Sequence, residues 1–186
     1  MHPAEHRALR ELGAFTGQLA RHWNTLAGRV EGDEATALQK GATAAGKLLD
    51  ELHPMLEARG LAVRHAAQIA GTFATARPPV TDRLLERNQA MRFAVLDVQH
   101  CVTLLGYLAR LAAGDGDEEL RAFCASWERR LRTHERAVRA AAIALGEHPD
   151  QAILPADNSA AGRAGQRLSY AVGSVGEWVD RRFARS

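Results

Sequence analysis

The chain lacks most of the residue patterns that announce a known chemistry. Two cysteines, Cys101 and Cys124, occur in 186 residues, too few for a disulfide framework or a paired-cysteine zinc site. Both fall in apolar stretches with helical spacing. If 92–112 and 118–145 form a hairpin turning near Gly114–Gly116, Cys101 lies about 20 Å from the turn and Cys124 about 12 Å. That offset disfavours a disulfide, whose Cα atoms sit within about 7 Å of each other. Two free thiols suit a reducing compartment. The opening Met1-His2-Pro3-Ala4-Glu5 has no apolar core of a signal peptide, and no apolar run reaches the ~18 residues of a membrane span. The sequence therefore predicts a cytoplasmic protein without membrane insertion.

Lysine is nearly missing. Lys40 and Lys47 are the only lysines among 24 basic residues, and the net charge is +2. Such an imbalance is too small to argue for nucleic acid, and aromatic interleaving of a single-strand-binding surface is missing as well. Arginine and alanine together fit a GC-rich bacterial genome. Aromatics make up 5% of the chain, so the core must be built from Leu, Ala and Val. There is no Gly-rich phosphate loop, Gly-x-Ser-x-Gly elbow or metalloprotease helix motif. Catalytic residues are accordingly expected to be none.

What remains is helical periodicity. The apolar fraction of 46% and charged fraction of 25% are ordinary globular values, and the length suits one domain over 1–186. Leu9, Leu12, Phe15, Leu19, Trp23, Leu26 and Val30 recur at three- and four-residue steps and predict a helix over about 4–30. A second, about 34–59, carries Leu38, Ala42, Ala45, Leu49, Leu52 and Leu56, with Asp33 as its cap. Pro54 should bend it or end it early. Its run Gly41-Ala42-Thr43-Ala44-Ala45-Gly46 contains only small side chains, which implies either a closely approaching helix or space for a ligand. Residues 60–81 include Pro78 and Pro79 and read as a long crossover connection. A third helix, capped by Thr81, is expected over about 82–112. Within it, 92–111 is apolar nearly all round, the profile of a helix buried on every side. A fourth, about 117–146, shows Leu120, Phe123, Trp127, Leu131, His134, Val138, Ala141 and Leu145. After a linker with Pro149 and Pro155, a fifth helix covers about 159–183.

Gly32-Asp33-Glu34 and Gly116-Asp117-Glu118 sit at the bends of two hairpins, 4–59 and 82–146. The predicted fold is all-α: a four-helix up-down bundle of two long hairpins, a crossover connection, and a C-terminal helix in the segment 147–186. This layout resembles the ferritin-like helical-bundle superfamily over about residues 4–183. The resemblance implies a metal site in the bundle core, where di-iron members place a Glu on two helices and Glu-x-x-His on the other two. No helix here has Glu-x-x-His; Asp97-x-x-His100 is the nearest match.

With the crossover, His22, Asp97, His100 and His134 all fall about 21–28 Å above one end of a bundle ~40 Å tall. The small residues Ala42 and Ala45 lie at that height. Three histidines and an aspartate around a gap would suit a transition metal such as Fe, Mn or Zn, or a haem held between two histidines. The competing reading makes each histidine a half-buried residue paired with a neighbour, Asp97 serving one of them. His53 reads as an exposed helix-end residue, and Glu51, Glu57, Glu86 and Glu177 as surface charges.

Two further features point outward. Arg129, Arg132, Arg136 and Arg139 share one face of the fourth helix. They suit an acidic partner or solvent-facing pairs with Glu128 and Glu135. In the C-terminal helix Ala161, Gly165, Ser169 and Gly173 repeat a small residue every four positions, beside the stripe Leu168, Val172, Val175, Val179 and Phe183. That helix is expected to pack closely on its own bundle, on a second copy or on a protein partner. The sequence thus predicts a non-enzymatic binding or interaction protein that self-associates through an exposed helix. The alternative is a ferritin-like metalloprotein with a non-standard His/Asp site.

Overall fold

The structure is a computed structural model, and residues 2–61, 85–157 and 159 are described in it. The path of the crossover connection and the C-terminal helix, with Gly165 and Gly173, lie outside the described residues. Four long helices carry the fold: α1 (Pro3–Ala27), α2 (Gly32–Ala58), α3 (Arg87–Asp115) and α4 (Glu118–Ala144). A 3₁₀ turn (Leu145–Glu147) and a one-turn helix α5 (Pro149–Ala152) follow. No strand occurs among the described residues; Glu86 and Pro155 make one isolated antiparallel bridge.

Helix α1 packs on α2 and α3, and α4 packs on α3 and α2, which leaves α1 diagonal to α4. Ion pairs fix the directions. At one end Arg59, just past α2, bonds Asp117 between α3 and α4 at 2.6 Å. At the other end Arg87, opening α3, bonds Glu34 at the start of α2 at 2.6 Å. Leu61 and Leu85 therefore stand at opposite ends of the bundle. Helices α1 and α4 point one way, α2 and α3 the other.

The turns come from local chemistry. Gly32 and Gly116 both take left-handed backbone, with φ of 67° and 73°, as the matching Gly-Asp-Glu triplets suggest. Asp117 accepts the Leu120 N–H at 2.9 Å and caps α4. One expectation needs correction, and one of two alternatives falls away. Of the two outcomes expected at Pro54, an early end does not occur: α2 runs through it to Ala58. Leu52 and Leu56, fully buried on either side of it, anchor the helix against the ~3 kcal/mol cost of an interior proline. And α3 begins at Arg87 rather than near 82, because Glu86 and Gln89 form a reciprocal capping box there. Glu86 is thus a cap and not a free surface charge.

The centre of the core is Trp23, fully buried. Its ring lies directly on the backbone of Gly41, where a Cβ would fall inside the ring's van der Waals envelope. Its indole N–H donates to the Ala94 carbonyl at 3.2 Å. One side chain from α1 thereby fixes the spacing of α2 and the height of α3. Gly41 leaves room for this indole, so the space at that position is filled from within the chain. Gly41→Ala should destabilise the protein by about 1–3 kcal/mol through overpacking. Gly46→Ala, where nothing lies within 4 Å of the added carbon, should stabilise it by about 0.5–1 kcal/mol. Chemical denaturation of the two variants checks both signs.

Candidate interaction groove and the core histidines

Of the four residues expected to share a layer, His22 and Asp97 bond each other, while His100 bonds Glu11. His22 precedes Trp23 and faces α3 with it: His22 Nδ1–H donates to Asp97 Oδ2 at 2.6 Å. The two side chains are mostly shielded, at 13% and 28% exposure. His100, one turn beyond Asp97, donates from Nε2 to Glu11 at 2.9 Å, and its ring lies 4.2 Å from that of Phe15. That pair is nearly half-exposed on both sides, so it contributes at most about 1 kcal/mol. His134 lies on the opposite corner helix. Burial pushes its pKa below the ordinary value and the Lys40 charge on α2 adds to that.

Among the described residues no group of three or more His, Cys, Asp or Glu is placed to hold a metal ion. Of the expected set His22, Asp97, His100 and His134, only His22 and Asp97 are bonded to each other. Height along a bundle follows from residue count, but the direction a side chain faces does not. His22, Asp97 and His100 sit on the α1–α3 seam, whereas His134 faces α2, and Trp23 occupies the space at Gly41.

The thiols are inert in this fold. Cys101 and Cys124 are free and buried, and burial pushes both up to about 12, so neither is a thiolate nucleophile at neutral pH.

The outward face of α3 and α4 differs from the expectation of a helix buried all round. Ala94, Val98, Cys101, Leu105 and Leu108 of α3 are buried, but Phe93, Leu96 and Tyr107 are 38%, 56% and 47% exposed. Leu85, Val95, Leu96, Ala142 and Ile143 line an open groove of about 840 Å³ with Phe93. Ile143 is 70% exposed. Arg92 and Arg139 stand on its rim.

The arginine row of α4 runs into this groove: Arg132, Arg136, Arg139 and Ile143 are spaced for one helix face. Arg132 bonds Glu128 at 2.7 Å, and Arg139 is paired with Glu135. Arg129 and Arg136 are exposed. Burial alone would raise the Glu135 carboxyl. Hydrogen bonds from Arg139 and Gln99, with the Arg139 and Arg132 charges, outweigh it and hold the pKa below the ordinary value. The sequence reading missed the groove. Its only signal was the apolar residues of 92–111 that lie off the core-facing stripe. It also missed Glu51, which accepts the Trp127 indole N–H at 2.8 Å.

No protein family, curated protein or solved structure matches the chain. No helix among the described residues is long and apolar enough to cross a membrane.

The His134 shift fixes a sign. Its folded-state pKa lies below the ordinary value of 6.5, so on acidification the unfolded chain takes the proton first and stability falls. Wild type should lose stability between about pH 7 and pH 5, and His134→Gln should lose less. Denaturation midpoints across that range test this; equal losses in both proteins would contradict it.

Proposed function

We propose that this chain is a non-enzymatic interaction protein whose α3–α4 face binds an amphipathic helix with acidic flanks. The observation that carries the reading is the exposed apolar set Phe93, Leu96 and Ile143 beside Arg92 and Arg139. Contiguous exposed apolar surface on a folded domain marks interaction sites. A groove between two helices accepts residues at helical spacing from a third. The exposed arginines Arg129 and Arg136 extend the positive rim along α4 and favour carboxylates on the incoming helix.

Helix order, with Leu61 and Leu85 at opposite ends of the bundle, supports a ferritin-like topology, and we propose that fold for the chain. The metalloprotein reading rests on that order and on the His22–Asp97 couple, because a carboxylate commonly orients a metal-bound histidine. It ranks second, since His22, His100 and His134 engage different neighbours.

A synthetic helical peptide with a leucine stripe flanked by glutamates probes the groove directly. It should bind with micromolar affinity, and Leu96→Glu with Ile143→Glu should weaken binding at least about tenfold. Reversing the peptide's flanks to lysine should weaken it as well. Affinity that ignores both changes, or no binding at millimolar peptide, would overturn the reading.

A further inference from the structure

We infer that the helix received by this face is the end of α4 in a second copy of the chain, so that two copies pair antiparallel across their α3–α4 faces. This rests on the reading of the face as a site for an apolar helix with carboxylates beside it, and it names that helix.

The first support is the order of side chains along α4. Arg132, Arg136, Arg139 and Ile143 share one side of the helix, and Arg139 and Ile143 line the groove. Beyond Ala144 the backbone continues as the 3₁₀ turn Leu145–Glu147, which puts Glu147 one turn past Ile143. Asp150 follows in α5. The strip is thus basic at one end, apolar in the middle and acidic at the other. Its middle is bare, since Leu96 and Ile143 are exposed. Arg136, Glu147 and Asp150 are exposed as well and form no ion pair among the described residues.

The second support is that this strip is complementary to itself when reversed. A twofold interface sets one patch against the same patch, so each contact between unlike residues occurs twice. Arg136 and Glu147 lie about 16–18 Å apart along the helix axis, and the midpoint falls at Ala141 and Ala142. A twofold axis crossing α4 there places Arg136 of each copy opposite Glu147 of the other and Arg132 level with Asp150. Ile143 falls opposite the small, exposed Ala140, so the large apolar side chain meets a place that can receive it. Arg139 falls opposite Ala144 and keeps its Glu135 partner. On α3, Arg92 turns back to Asn88. No like charges meet between the two α4 strips.

Charge distribution selects this partner. The face is positive only along Arg132, Arg136 and Arg139; Glu147 and Asp150 make its other end negative. An incoming helix therefore needs carboxylates at one end of its apolar residues and arginines at the other. The end of α4 has that distribution, with arginines before Ile143 and carboxylates after it. A single exposed charge pair contributes little. Here symmetry gives every pair twice, on both sides of an apolar centre, which is the common arrangement of apolar core and polar rim in protein interfaces. The charges also fix the antiparallel sense, because a parallel pairing would set like ends together.

Sedimentation equilibrium of the full chain tests the pairing. Wild type should show two-chain mass at about 100 µM. Ile143→Glu should give single chains at that concentration. Arg136→Glu and Glu147→Arg should each weaken association at least about tenfold. The variant carrying both reversals should regain it, because opposite charges meet again. All three side chains are exposed, so the variants keep the helical fold, which circular dichroism checks. A single-chain wild type would overturn the inference. So would a two-chain species indifferent to Ile143→Glu and Arg136→Glu, or a double reversal as weak as the single ones. The peptide titration separates this from the underlying reading. Peptide bound by a single-chain wild type refutes the second copy and keeps the face as a helix site. A two-chain species with the expected charge response and no peptide binding keeps the second copy and refutes recognition of other helices.

Discussion

The contact of Trp23 with Gly41 and the Ala94 carbonyl is the constraint on which the rest of the bundle depends. Only three tryptophans occur in the chain, and this one is fully buried. Glycine at 41 costs about 1 kcal/mol of helix propensity. It allows an indole to lie against the backbone, where replacing the ring by alanine would cost about 3–5 kcal/mol. The indole N–H has to be satisfied in the interior, and the Ala94 carbonyl meets that need at one height of α3 only. His22, the preceding residue, then meets Asp97 one turn further along. The register of α1 against α3 follows from these two neighbouring side chains.

That register has consequences at both ends. With α1 and α3 antiparallel, Arg87 reaches Glu34 and Arg59 reaches Asp117. Burial of Arg59 beside Glu5 ties the α2 end to the first turn of α1 as well. The Leu120 N–H, burial and Arg59 act on Asp117, and the net effect holds its pKa below the ordinary value. These bonds are part charge pair and part helix cap, so removing the carboxylate affects two elements together. On the outer face of α3 and α4, Gln99 bonds Glu135 across the two helices, Arg132 and Glu128 pair within α4, and Leu96 and Ile143 are exposed.

Much of this fold was legible in the sequence. Apolar spacing gave four helices within a few residues of their limits, because burial of one stripe per helix enforces the period. The Gly-Asp-Glu triplets marked both hairpin bends. Pro54 left open whether α2 would end early, because propensity is local, while the burial of Leu52 and Leu56 that carries the helix past it is not. Thr81 misled because a capping box formed by Glu86 and Gln89 is an equally good start. The neighbours of the core histidines were legible only in part: Asp97 as the partner of one histidine was expected, and Glu11 as the partner of His100 was not. The groove was present in the sequence as an excess of apolar residues over 92–111 and was read as complete burial. Periodicity says how many faces are apolar; it does not say how many neighbours the helix has.

The polar interior is structural on this account, and recognition belongs to the α3–α4 surface. The most direct test is elemental analysis of protein purified without a tag, under conditions that supply Fe, Mn and Zn. The account predicts substoichiometric metal and no loss of thermal stability in chelator. One equivalent of a transition metal per chain, lost in His22→Ala or His100→Ala, would contradict it and place function in the core.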